Sequence, residues 1–227
     1  MKTSTSKTTS TRPRHLACLL AFLIASILSV AAEDTGFYFA GVYVNSSTSR
    51  TIDHQSNIFE QGTATYDSST KTLTLTNVTV TRSGSGKNCI DNVKCPGLKV
   101  ELKGNCRLYS QDDYAVVTRD PGYTHNDNYI EITVEGNATI ESKNKSALCY
   151  QDKSNRLRHI NGPGTLTVKS TNSYAIEGNK YSDITFDEGL TATINGGKGA
   201  LHKLAYLYVV NNCELTLKAT NDSSRKK

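Results

Sequence analysis

Leu98-Lys-Val-Glu-Leu-Lys-Gly-Asn-Cys-Arg-Leu108 and Ile130-Glu-Ile-Thr-Val-Glu-Gly-Asn-Ala-Thr-Ile140 are two copies of one pattern. Each is an alternating strand, a Gly-Asn turn and a second alternating strand. The first strand recurs at His159-Ile160, Ile184-Thr-Phe186 and Leu207-Tyr-Val209, and a Gly or Asn turn follows each time at Gly162-Pro-Gly164, Glu188-Gly189 and Asn211-Asn212. The second strand recurs as Leu166-Thr-Val168, Ala192-Thr-Ile194 and Leu215-Thr-Leu217, with Leu73-Thr-Leu75 read as an earlier copy. Every unit but the last closes on a third short apolar patch: Cys89-Ile90, Ala115-Val116, Ala147-Leu148, Ala175-Ile176 and Ala200-Leu201.

Units of about 23 to 33 residues fall in the window of solenoid repeats. Alternation with period two sends successive side chains to opposite faces of a strand. Stacked equivalents then predict one buried column, Leu75, Leu108, Ile140, Val168, Ile194 and Leu217. No unit holds a run long enough for a crossover helix, so parallel strands joined by turns alone imply an all-β, right-handed parallel β-helix of about six coils. An antiparallel sandwich also uses short strands and Gly-Asn turns. It would not require the same three-strand unit in the same order five times.

The chain divides into residues 1–32 as a signal peptide, 33–61 as an N-terminal cap, 62–220 as the β-helix and 221–227 as a polar basic tail. Lys2, Lys7, Arg12 and Arg14 precede an apolar run from Leu16 to Val30, which ends on Ser29-Val-Ala-Ala32. That is the layout of a secretory signal cleaved near Ala32. The run is short against the roughly 20 residues that span a bilayer, and no second run follows, so no membrane span is expected in the mature chain. Cys18 opens the run instead of following it, the wrong side for lipid attachment.

Removal of the leader takes four of the 26 basic residues and none of the 21 acidic ones, leaving a nearly neutral protein. Three of the remaining bases, Arg225, Lys226 and Lys227, crowd the tail. Nucleic acid is therefore not an expected partner. Cys89, Cys95, Cys106, Cys149 and Cys213 remain, an odd number without zinc-site spacing, and read as small apolar core residues with at most two bridges. Sequons begin at Asn45, Asn77, Asn137, Asn144 and Asn221, a frequency that an Asn- and Thr-rich repeat also yields by chance.

Val42-Tyr-Val44 and Gly62-Thr-Ala-Thr-Tyr66-Asp67 through Leu73-Thr-Leu75-Thr-Asn77 resemble the opening segment of secreted β-solenoid proteins of anaerobic gut and cellulolytic bacteria. These are described as carbohydrate-binding-domain proteins and are similar in fold to pectate lyases. The resemblance spans roughly residues 37 to 220. It implies architecture and a polysaccharide partner, while the activity must come from a site.

Two surfaces compete for that site. The outward row Thr74, Arg107, Thr139, Thr167, Thr193 and Thr216 is regular, yet threonine is a good exposed strand residue in any sheet, and Arg107 breaks the flatness an ice-binding face would need. The connection after the third patch varies in length from unit to unit, and stacking crowds these loops along one edge, where binding residues concentrate on rigid scaffolds. That edge gathers Arg119, Asp120, Tyr123, His125, Asp127, Tyr150, Asp152, Lys153, Arg156 and Arg158 as candidate ligand-binding residues. Tyrosines stack on sugar rings, and Arg, Lys and Asp pair with hydroxyls and carboxylates. Arg158 stands where other units carry Leu98, Ile130, Ile184 and Leu207, so either the chain slips there or the base is held at the edge.

Asp120, Asp127 and Asp152 offer the hard oxygen ligands that calcium takes, without a recognisable loop pattern; no other cofactor is indicated. The expected function is a secreted, non-catalytic binding module for an extracellular polysaccharide, acidic ones included. A β-helix lyase or glycoside hydrolase is the first alternative. A lyase needs a base beside a held uronate, for which Lys153, Arg156 and Arg158 qualify by type, and a hydrolase needs two carboxylates at a defined separation. A structural or adhesive surface protein is the second. The last coil has little apolar material to seal its end, which invites self-association there.

Overall fold

The computed structural model describes residues 36–45, 51–52, 59–119, 128–151 and 157–220. Every regular element among them is a strand. No helix there is long and apolar enough to cross a membrane. In chain order these are β1 (Phe37–Phe39), β2 (Val42–Val44), β3 (Thr51–Ile52), β4 (Gln61–Asp67), β5 (Thr72–Arg82), β6 (Ile90–Asn92), β7 (Leu98–Ser110) and β8 (Val116–Thr118). They are followed by β9 (Ile130–Ser142), β10 (Leu148–Tyr150), β11 (Leu157–Asn161), β12 (Thr165–Ser170), β13 (Tyr174–Phe186), β14 (Thr191–Gly196), β15 (Gly199–Val209) and β16 (Glu214–Ala219).

From β5 onward every inter-coil pairing is parallel. The chain therefore winds as a β-solenoid of about five turns, and β16 completes the second side of a final partial one. The start is different. β4 runs antiparallel to β5, β3 antiparallel to β4, and β1 antiparallel to both β2 and β6. Antiparallel strands thus occupy the first coil's outer edges and bury Phe37, Phe39, Phe59 and Tyr66 over its apolar end. Phe37 and Tyr66 meet edge to face at 5.1 Å.

The central column is continuous, with one change of register at its start. Leu108 pairs with Ile140, Ile140 with Val168, Val168 with Ile194 and Ile194 with Leu217, as the alternation predicts. Below Leu108 the column continues to Val80, not Leu75, which pairs with Leu102 on the preceding side. The Leu73-Thr-Leu75 strand is therefore a first side. Its turn holds one residue fewer than the next coil's: Asn77 and Val78 stand against Gly104, Asn105 and Cys106. Asn77 adopts a left-handed conformation, φ 53°, and its Oδ1 accepts the Asn105 N–H at 2.9 Å. A Cβ on Gly104 would collide with that same oxygen, which fixes glycine at the turn. The outward row shifts likewise, to Thr79, Arg107, Thr139, Thr167, Thr193 and Thr216.

The corner after the second side is clipped by serines. Ser110, Ser142 and Ser170 are in register and buried. Each hydroxyl accepts the N–H three residues on, at 3.1–3.3 Å, and donates to a carbonyl of the previous coil: Lys87 at 2.9 Å, Asp113 at 2.7 Å and Lys145 at 2.7 Å. This motif satisfies polar groups that the turn would otherwise bury unpaired. Asparagines form a parallel ladder outside it, since Asn144 Nδ2 donates to Asp112 Oδ1 and Asn172 Nδ2 to Asn144 Oδ1. Asn137 Nδ2 similarly donates to Asn105 Oδ1. The sequon residues Asn137 and Asn144 thus serve the stack.

Cys89, Cys95, Cys106 and Cys149 are buried core residues and Cys213 is half-buried; none of the five is bonded to another. Burial pushes the Cys89 thiol up, which leaves it neutral and unreactive.

Candidate functional site

The third side of the coils carries the loop-rich edge. Its register aligns Asp91, Val117, Cys149, Glu177 and His202 across five coils. In β8 and β10 all three residues are buried, although alternation should leave the middle one outside. The outer face of this side is therefore covered in its central coils. Around Cys149 the cover includes Tyr114 and Gln151, whose polar side chains stand beside the thiol.

Toward the later coils the cover parts into a cleft of about 500 Å³ whose lining includes Tyr114, Cys149, Tyr150, Glu177, Lys180 and Lys203. A bulge makes its wall. Glu177 pairs with His202 and Ser182 with Leu204, so Gly178-Asn-Lys-Tyr181 stand opposite the single residue Lys203. The excess is turned outward tightly: a Cβ at Gly178 would stand 2.7 Å from Leu204 Cδ2 and from Ser182 Cβ. Asn179 Oδ1 then accepts the Tyr181 N–H at 2.9 Å, and Asn179 N–H donates to Ser182 Oγ at 3.1 Å. Lys203 itself takes a left-handed conformation, φ 53°, and is exposed.

The polar groups of the cleft are ordered. Glu177 Oε2 accepts the Ser146 hydroxyl at 2.9 Å, and its Oε1 lies 3.4 Å from His202 Nδ1. The His202 ring stacks on Tyr174, centroids 4.0 Å apart and planes 8° off parallel. Lys145 Nζ approaches the Tyr114 ring at 6.0 Å, and Lys180 Nζ the Tyr181 ring at 5.0 Å. Burial, reinforced by the Glu177 charge, pushes the Cys149 thiol up to about 12. Burial likewise raises the Tyr114 phenol to about 12, with Cys149 and Glu177 adding to it. Neither is ionised at neutral pH, so the described residues of the cleft offer aromatic faces, ammonium groups and one carboxylate, and no activated thiolate.

Of the candidate residues read from the sequence, Arg119, Tyr150 and Arg158 are described. Asp120, Tyr123, His125, Asp127, Asp152, Lys153 and Arg156 lie outside the described residues. Arg119 forms a two-pronged pair with Asp91, Nε to Oδ1 at 2.8 Å and one terminal nitrogen to Oδ2 at 2.9 Å, while Asn88 donates to the same carboxylate. Asn128 Nδ2 donates to the Arg119, Asn92 and Val93 carbonyls, which ties the two ends of the long 120–127 connection to the neighbouring coil.

Arg158 neither slips nor sits at the edge. It pairs in register with Ile184 and is fully buried, the largest such side chain among the described residues. Its guanidinium faces the Tyr150 ring, and Tyr150 in turn lines the cleft.

Tyr114, Glu177, Lys203 and the Tyr174–His202 stack were not singled out by the sequence. A signal existed in the repeat itself. Tyr114 and Tyr174 each immediately precede the alanine of a third patch, and Glu177 and His202 each fall one residue beyond its second apolar position. Reading the row beside the third patch instead of the connections that follow it points to these four residues. The calcium candidates Asp120, Asp127 and Asp152 all lie outside the described residues; among the described residues no three His, Cys, Asp or Glu side chains group as metal ligands. No family model, curated protein or solved structure matches the chain.

Proposed function

We propose that this protein is an exported, non-catalytic binding module that holds an acidic extracellular polysaccharide along the loop-rich edge of its solenoid. The supporting observation is the cleft whose lining brings Tyr114, Lys180 and Lys203 together with Glu177. Ammonium groups attract uronate carboxylates, and an aromatic face accommodates the apolar side of a pyranose ring. Glu177, fixed by Ser146, accepts sugar hydroxyls. Binding sites commonly combine an apolar wall with a few such placed polar groups.

Hydrolysis of a glycoside uses two carboxylates on opposite sides of the scissile bond. Glu177 is the single carboxylate among the described residues that line the cleft, which favours binding over cleavage. Export rests on the basic and apolar leader ending near Ala32, and the polysaccharide on the resemblance to secreted carbohydrate-binding solenoids.

The test is a pull-down of the protein on soluble and insoluble polysaccharides, with and without chelator, with reducing ends and unsaturated products assayed in the same tubes. Retention on uronate-containing polymers without product formation is expected. Product formation would assign an enzyme, and retention on none of the polymers would leave a structural or adhesive protein.

A further inference from the structure

We propose that the last coil is a docking surface for a second copy of this chain, which joins it tail to tail about a two-fold axis through Thr216. Among the described residues β15 pairs only with β13 and β16 only with β14, so both strands of the last coil keep one hydrogen-bonding edge without a strand partner. The apolar columns run out to this edge. Ile194 and Phe186 are 0% exposed, whereas their successors Leu217 and Val209 are each 45% exposed. Edges of this kind template further pairing unless charge or proline blocks them.

The occupant follows from β16 itself. Glu214 N–H donates to Leu190 and Thr220 N–H to Gly196, so even-numbered residues direct their backbone groups back into the solenoid. Leu215 and Leu217 consequently direct theirs outward. Antiparallel pairing of Glu214-Leu-Thr-Leu-Lys218 with itself, centred on Thr216, places Leu215 opposite Leu217 of the second copy, with both sets of free groups in register as a hydrogen-bonded pair. Glu214 then faces Lys218 of the second copy in a non-hydrogen-bonded pair, the geometry in which side chains approach most closely. A two-fold axis makes that contact twice.

Centring on Leu215 or on Leu217 instead leaves neither charge opposite its complement. The other end of the solenoid is covered by β1 to β4, and the strands that end the sheet there, β2 and β3, hold only three and two residues, so head-to-tail stacking finds no edge as long as that of β16 among the described residues. Seventeen strand residues in β15 and β16, with Tyr206 and Tyr208 exposed beside them, approach the roughly 20–30 residues per side of a standard interface.

Sedimentation velocity from about 1 to about 200 µM tests this, with circular dichroism confirming that each variant keeps its strand signal. A concentration-dependent dimer is expected for the natural chain. Glu214→Lys and Lys218→Glu, each of which sets two like-charge pairs in the interface, should each weaken it at least about fivefold. The double exchange Glu214→Lys/Lys218→Glu should restore it. A natural chain that stays monomeric, single variants that dimerise unchanged, or a double exchange that fails to restore the dimer would overturn the proposal.

Discussion

The guanidinium carbon of Arg158 lies 4.9 Å from the centre of the Tyr150 ring, and neither side chain is more than 2% exposed. A cation taken into an apolar column loses its hydration, and a ring face restores part of the loss. Such contacts reach about 2 kcal/mol when desolvated. The pair also links the core to the cleft, because the same ring lines it.

Tyr150→Leu should therefore destabilise the protein by about 2–3 kcal/mol, while Tyr150→Phe, which keeps the face and loses only a buried hydroxyl, should cost about 1 kcal/mol. Urea unfolding midpoints of the two variants separate these outcomes. Equal losses would mean that the ring face does not hold Arg158.

The column makes a second prediction. Ile140 is 1% exposed between Leu108 and Val168, so Ile140→Ala should cost about 2–5 kcal/mol. Leu217 ends the same column 45% exposed, and Leu217→Ala should cost less than about 1 kcal/mol in dilute monomer. Comparable losses at both positions would contradict the register.

Alkaline pH should unfold the protein earlier than its neutral stability suggests. Cys149 and Tyr114 titrate near 9.0 and 10.0 when unhindered, and burial raises both to about 12. Between those values the unfolded chain releases protons that the native chain retains. Their contribution is thus complete below about pH 9 and is lost as pH rises toward 12. Melting temperature should fall steeply over that window, and less steeply in Cys149→Ala. A melting temperature independent of pH from 9 to 11 would contradict the burial of these groups.

Most of the solenoid could be read from sequence because strand alternation and turn residues recur together: Leu108, Ile140, Val168, Ile194 and Leu217 fall in one column as expected. The first coil misled because Thr72-Leu-Thr-Leu-Thr76 alternates as cleanly as any second strand, and only the shorter Asn77 turn reveals that it is a first side. The antiparallel pairing of Gln61–Asp67 left no trace in the pattern, since alternation does not carry strand direction. At the site, the variable connections after the third patch drew attention to Arg119 through Asp127 and Tyr150 through Arg158. The described cleft is instead built by a bulge in β13, where four residues face Lys203, a feature of register between coils that no single unit displays.

Arg158 could be identified as an exception to its column, although its burial depended on the aromatic residue eight positions earlier. The serine clips were hidden for a different reason. Ser110, Ser142 and Ser170 look like ordinary turn residues until stacking brings a carbonyl of the previous coil within 2.9 Å.

The central claim is that the cleft binds an acidic glycan through its lysines. Isothermal titration of uronate oligosaccharides into the natural protein and into Lys180→Ala/Lys203→Ala tests it most directly. Both lysines are on the surface, so the variant should melt as the natural chain does. Saturable binding that weakens at least about tenfold in the variant and fades with added salt is expected. Equal affinity in the two proteins, or no heat with any uronate oligosaccharide, would contradict it.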